Sequence, residues 1–147
     1  MMIWGKYTWI FFHTLVEKIK DEHFHQHKNM LCGIIARLCS CLPCPTCKDH
    51  AMETLRKRNI YAVRSKEDLK MYIYQFHNTV SYKKGMPTPD LSVLEQYKYG
   101  NLRRIVQVFR QHFTTNVPGL MTQQLKRRAV LNQCMNELNK YWHIFNP

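Results

Sequence analysis

Acidic residues and glycine are both scarce in this chain: ten Asp and Glu stand against 22 Lys and Arg, and only five glycines occur in 147 residues. The shortage of glycine, with few alternating β-branched runs, leans the chain towards helix. No uninterrupted apolar run reaches the roughly 18 residues a membrane span requires, so none is expected. A clean secretory signal is also missing. The apolar start MMIWGKYTWIFF is broken by Lys6, and no small-residue cleavage site follows it. The six cysteines therefore do not read as a secreted disulfide framework, and catalytic or metal-binding thiols become the starting point. Internal repeats and low-complexity tracts are absent, and the length suits one domain with a real hydrophobic core.

What is present is positive charge and aromatic bulk. The net charge of +12 attracts polyanions: nucleic acid, an acidic membrane surface or a phosphate-bearing cofactor. The charge is spread along the chain and not packed into one tail, which favours a solvated basic surface over a dedicated nucleic-acid interface. Residues 101–147 carry seven basic residues (Arg103, Arg104, Arg110, Lys126, Arg127, Arg128 and Lys140) against the single acid Glu137. That block suits docking on an acidic partner or assembly surface.

Apolar residues recur with helical spacing through most of the chain. Trp9, Phe12, His13 and Val16 give a first stripe. Leu31, Ile34, Ile35, Leu38 and Leu42 give a second, ended or sharply bent by Pro43. Between them, DEHFHQHKN reads as a connection or a polar helix start. PCPTCKDHAMETLRKR begins a third helix with proline early. Ser65 and Asp68 resemble a capping box ahead of Leu69, Tyr72, Ile73, Phe76, His77 and Val80. KKGMPTP breaks that helix. Thr88-Pro89-Asp90 then predicts a cap with proline at the first helical position, opening a short helix towards Tyr99 that Gly100 closes. Beyond it lie two further stripes, Leu102, Ile105, Val106, Phe109 and Phe113, then Leu131, Cys134, Met135, Leu138 and Trp142, separated by the punctuation NVPG.

Chemistry concentrates at Cys44-Pro45-Thr46-Cys47. Two thiols two residues apart at a helix start close a disulfide with little backbone movement. The helix amides stabilise a thiolate, and Lys48 and His50 add nearby positive or protonatable groups. Such a pair can cycle between dithiol and disulfide. It can equally be half of a zinc site built from Cys39, Cys41, Cys44, Cys47 and His50, although the one-residue gap between Cys39 and Cys41 is unlike structural zinc pairs. His23, His25 and His27 form a weaker metal candidate, better read as a solvated polar segment. Cys32 and Cys39 lie beside the second apolar stripe and Cys134 in the last one, where cysteine serves as a small core hydrophobe.

Three segments, WGKYTWIFFH (Trp4 to His13), LPCPTCKDHA (Leu42 to Ala51) and FHNTVSYKKGMP (Phe76 to Pro87), occur in an order that resembles the Erv/ALR family of FAD-linked sulfhydryl oxidases, most like the versions encoded by large DNA viruses. The resemblance covers roughly residues 1–100. It implies an all-α fold, a four-helix bundle with a short fifth helix and FAD at its mouth; residues 101–147, helical by their own apolar spacing, form a C-terminal extension that the resemblance does not cover. Carried over by position, Trp4, Gly5, Trp9 and His13 would line the flavin and its adenosine part, and His77, Asn78, Val80, Ser81, Lys83 and Lys84 would form the second wall. His77, Val80, Ser81 and Lys84 do share one helix side. Departures occur as well: Ser81 stands where the family usually has Asn, Met86 follows Gly85 where Lys is common, and the later cysteine of many relatives is missing. Tyr97 and Tyr99 occupy a region where an aromatic often abuts FAD.

The resemblance further implies that Cys44 and Cys47 are the catalytic pair, Cys44 outermost and Cys47 next to the flavin, with no resident metal. Electrons would pass from a protein dithiol, of a thioredoxin-like or small Cys-bearing carrier, to dioxygen, giving hydrogen peroxide. Relatives with a second, shuttle pair make Cys39 and Cys41 the nearest candidates for one here. The expected assembly is a homodimer and the expected setting cytoplasmic, in host cytoplasm or virion. The competing readings are a zinc-binding interaction module and a basic nucleic-acid-binding helical module.

Overall fold

The computed structural model describes residues 3–114 and 121–147. Six α-helices account for most of them: α1 (Ile3–Lys18), α2 (Asp21–Cys39), α3 (Pro45–Lys57), α4 (Lys66–Lys83), α5 (Leu102–Phe113) and α6 (Met121–Lys140). Short 3₁₀ stretches lie at Ile60–Ala62, Leu91–Tyr99 and Trp142–Ile144. The only β pairing among the described residues is an isolated antiparallel bridge between Ile19 and Phe145, which returns the chain end to the close of α1. The all-α expectation holds.

Helix α1 is the axis of the molecule. It packs against α4, α5 and the 91–99 stretch, while α2 packs against α3, α6 and the 60–62 turn, and α3 touches α4. That position explains its sequence: Phe11, Phe12, Leu15 and Val16 are all buried, together with Thr8, His13 and Thr14. A helix packed on several sides buries residues around much of its circumference and carries no clean amphipathic stripe, and its exposed residues Ile3 and Lys6 lie near its start. Helix α2 keeps a polar first half, since the histidine-rich segment forms its opening turns behind Asp21 and Glu22, and buries Leu31, Ile34, Ile35 and Leu38 further on. It stops at Cys39, before Pro43. Leu42 therefore leaves the stripe and sits half-buried in the turn.

Helix α4 opens as predicted, with the Asp68 N–H donating to Ser65 Oγ at 3.0 Å, but the box closes differently: the Asp68 carboxylate accepts from the Arg64 N–H. Its far end is a complete Schellman motif. Gly85 has φ of +69°, its N–H bonds Tyr82 O at 3.0 Å, and the Met86 N–H bonds Ser81 O at 2.9 Å. The predicted Thr88 cap is not used. Pro89 stays in an extended link because its carbonyl accepts the Tyr74 hydroxyl at 2.7 Å, so the cap position moves to Asp90 and the stretch that follows is 3₁₀.

The block after residue 100 joins the same core. Leu102, Val106, Phe109 and Phe113 of α5 are buried, with Phe109 stacked on Phe11 of α1 at 4.5 Å. Leu131, Cys134, Met135 and Leu138 of α6 are buried, and Glu137 ties α6 to Arg37 of α2 at 2.5 Å. Trp142 lies past the helix end, under the Arg103 guanidinium at 4.6 Å. The NVPG punctuation falls outside the described residues.

Candidate active site

Helix α3 begins at the cysteine motif. Cys44 is its cap residue, in extended conformation, and Pro45 supplies the first helical position, where a missing N–H costs nothing. The Cys47 N–H donates to Cys44 Sγ at 3.2 Å. The two cysteines form a disulfide across a Cα–Cα distance of 5.1 Å. Both are half-buried, so the bond is open to a thiol from solvent.

This disulfide lines a cavity of about 240 Å³. Facing α3 across it are Trp4, Gly5, Thr8, Trp9 and Phe12 of α1 and Phe76, Val80 and Ser81 of α4, with the exposed Lys83 and Lys84 and the half-buried Met86 at the close of that helix. A second cavity of about 370 Å³ is lined by Trp9, Thr14, His77, Tyr97 and Gly100 among others, so Trp9 belongs to both. His77 stacks flat on Trp9 at 4.3 Å. His13 stacks on Tyr97 at 4.5 Å, and its Nε2 shares a hydrogen bond of 3.0 Å with His77 Nδ1. The four rings form one connected aromatic array.

Burial shapes the electrostatics. His13 is forced down to about 3 by desolvation and by the neighbouring His77, and His77 to about 4 by desolvation and by Lys84, so both imidazoles are neutral at physiological pH. Burial also leaves polar atoms of α1 beside these rings without hydrogen-bond partners, Trp4 Nε1, His13 Nδ1 and Thr14 Oγ1 among them. Buried donors and acceptors normally find partners, so such a group of idle ones marks a place for a polar ligand.

Of the residues singled out from sequence, Trp4, Gly5, Trp9, Val80, Ser81, Lys83 and Lys84 line the disulfide cavity, and His77 lines the second. His13 is enclosed behind His77 and Tyr97 and lines neither. Asn78 is half-buried and lines neither as well. Tyr97 joins the array, whereas Tyr99 is 87% exposed. Thr8, Phe12, Phe76, Thr46 and Ala51 are wall residues that sequence reasoning missed. Part of the signal was available: positions 4, 5, 8, 9 and 12 recur at i, i+1, i+4, i+5 and i+8, one face of a helix.

The other four cysteines are buried thiols. Desolvation holds Cys32, Cys41 and Cys134 up at about 11 and raises Cys39 further. Cys39 lines the disulfide cavity but, like Cys41, is buried, and burial disfavours the thiolate form that a shuttle uses. Among the described residues, no group of three or more His, Cys, Asp or Glu is placed to hold a metal ion, neither around Cys44 nor at the histidine-rich segment.

Comparison with known proteins agrees with this geometry. The profile of the Erv1 / Alr family matches residues 6–100. A FAD-linked sulfhydryl oxidase of Arabidopsis thaliana is 32% identical over 81 residues, covering 55% of this chain and 42% of that protein. A probable FAD-linked sulfhydryl oxidase of Fowlpox virus (strain NVSL) is 37% identical over 73 residues, covering 50% of this chain and 68% of its own. A putative one of Invertebrate iridescent virus 3 is 24% identical over 86 residues, 58% of each chain. The match thus spans less than half the length of the plant relative. No solved structure matches the chain significantly. The matched span begins inside the aromatic face of α1, contains the disulfide and all of α4, and ends at Gly100 beside Tyr97: by its profile and by its relatives, the chain belongs to the Erv1 / Alr family.

Proposed function

We propose that this protein is a FAD-dependent thiol oxidase that makes disulfides in protein substrates and passes the electrons to dioxygen. The observation that carries the reading is a disulfide at a helix N-terminus forming one wall of a cavity whose other walls are aromatic. The residues fit the cofactor. The unpartnered Trp4 indole N–H and Thr14 Oγ1, one in each cavity wall, are suited to a ligand rich in hydrogen-bonding groups, Lys83 and Lys84 to a pyrophosphate, and the Trp9, His77 and Tyr97 rings to flat heterocycles. Trp4, Gly5, Trp9, Val80 and Ser81 would hold the ring system, and His13, His77, Lys83 and Lys84 its adenosine diphosphate part, with Asn78 contributing from the next position on α4.

A substrate thiolate attacks Cys44 Sγ. The Cys44–Cys47 bond breaks, a mixed disulfide forms on Cys44, and Cys47 leaves as a thiolate. The second substrate thiolate then attacks the substrate sulfur of that mixed disulfide and releases Cys44. The substrate leaves oxidised by two electrons and two protons, and the pair on α3 is reduced by the same amount. The N-terminal amides of α3, the Cys47 N–H among them, stabilise the thiolate of Cys44 once it is released. Bound FAD supplies the two-electron acceptor that returns the pair to its disulfide and the route by which dioxygen becomes hydrogen peroxide. The assignment of Cys47 to the cofactor side, a thioredoxin-like or small Cys-bearing carrier as the substrate, a homodimeric assembly and a cytoplasmic setting all follow from the family resemblance. No described helix is long and apolar enough to cross a membrane.

The purified protein is expected to be yellow, with flavin absorbance bands. Cys47→Ser is expected to keep those bands and to lose thiol-driven oxygen uptake by at least about a thousandfold, the scale on which a covalent catalyst matters. A colourless protein that takes up no FAD, or a Cys47→Ser variant with full turnover, would refute the reading.

A further inference from the structure

Beside the disulfide lies a feature the oxidase chemistry does not use. Arg127 of α6 is only 2% exposed. Its Nε donates to the Cys41 carbonyl at 2.9 Å, while its Nη1 is buried with no hydrogen-bond partner. A guanidinium taken out of water and left with an idle nitrogen is costly unless an acceptor arrives. Arg127 lines a cleft of about 120 Å³, together with Lys48, Lys126, Leu42 and Pro45. No Asp or Glu lines it, and among the described residues neither Lys48, Lys126 nor Arg127 takes part in an ion pair. Three basic residues therefore line one small cleft that has no acidic residue in its wall.

The position of the cleft identifies its occupant. Leu42 walls both this cleft and the disulfide cavity, and Pro45 follows Cys44 directly in the chain. A group held here therefore sits beside the bond that a substrate thiol attacks. We propose that Lys48, Lys126 and Arg127 form a docking site for the carboxylate of an acidic residue near the reactive cysteine of the substrate protein. A carboxylate supplies the acceptor that Arg127 Nη1 lacks, and a charge-assisted hydrogen bond in a partly dry cleft is among the stronger polar contacts. The two lysines, one half-buried and one exposed, draw acidic segments towards the disulfide and make their binding sensitive to salt. The site selects among protein dithiols; a small neutral dithiol would pass it by. This inference rests on the thiol-oxidase reading, and its test is built on binding alone so that the two can fail separately.

Short fluorescein-labelled peptides carrying Ser in place of the reactive cysteine would be titrated against the full chain, one with Glu two positions from the Ser and its twin with Gln. The Glu peptide is expected to bind about tenfold more tightly, with the preference fading at high salt. Arg127→Lys, which keeps the charge but loses the guanidinium fork, and the exposed Lys126→Glu are each expected to reduce the preference below about twofold. Lys126→Glu carries the test if the Arg127 variant misfolds. Equal binding of the two peptides to the unmodified protein overturns the proposal. So does an oligonucleotide or inorganic phosphate that displaces the Glu peptide at lower concentration than free glutamate peptide does, which would assign the cleft to phosphate groups. Oxygen uptake with dithiothreitol, run alongside, reports on the oxidase reading independently.

Discussion

At the scale of single residues, the buried imidazoles of His13 and His77 make a claim about pH that needs no knowledge of turnover. Both sit below the ordinary histidine value of 6.5 in the folded protein, His13 at about 3 and His77 at about 4. In the unfolded chain they protonate near 6.5, so below that pH the unfolded state holds protons that the folded state refuses. Stability is then full above pH 6.5 and declines as pH falls, towards 4 for His77 and 3 for His13. A fully buried imidazole contributes about 1.4 kcal/mol per pH unit across its window; the half-buried His77 contributes less. Urea unfolding at pH 7, 5.5 and 4.5 checks this. The free energy should fall across the series, and His77→Asn, whatever it costs at pH 7, should give a shallower decline. Parallel curves for the two proteins would sink the assignment.

Among the secondary-structure elements, the end of α4 is where local backbone rules hold the site wall. The two Schellman hydrogen bonds fix Ser81 and Met86, both of which line the disulfide cavity, and they need the left-handed φ of +69° at Gly85. A Cβ built at Gly85 would meet nothing within 4 Å, so the cost of replacing it is conformational and not steric crowding by neighbours. Gly85→Ala is expected to lower unfolding free energy by about 1 kcal/mol, and Gly85→Asn by roughly half as much, because Asn tolerates the left-handed region. Equal stabilities in denaturant titration would refute the argument. This helix was legible in advance, since its cap, its apolar spacing and its glycine break are all local signals. The 91–99 stretch was less so. Its start is decided by the Tyr74 hydroxyl reaching the Pro89 carbonyl, a contact between residues fifteen apart that no local pattern encodes. In the same way Phe12 and Phe76 read as core stripes, and only the meeting of α1 with α4 makes them walls of a cavity.

For the molecule as a whole, the question is whether the block after residue 100, where the family match ends, is an accessory or a structural part of the family fold. Sequence spacing located its helices but not their partners. Amphipathic stripes say that a face is buried, not against what. In the structure Phe109 is fully buried, stacked on Phe11 of α1 at 4.5 Å and close to Phe113 at 4.9 Å. Phe11 is a neighbour in sequence of the cavity residue Phe12, so the α5 contact supports the helix that carries the site. Phe109→Ala removes most of a fully enclosed ring and is expected to cost about 3–5 kcal/mol, a large share of the ~5–15 kcal/mol that holds a domain together. By contrast Arg103→Ala, which removes a guanidinium lying over Trp142 near the surface, is expected to cost under about 1 kcal/mol. If α5 and α6 belong to the same cooperative unit as α1 to α4, Phe109→Ala lowers one shared transition, seen at the same midpoint by tryptophan fluorescence and by helical circular dichroism. Two separated transitions, with the one reporting on α1 to α4 unmoved, would instead make the last third of the chain an independent appendage.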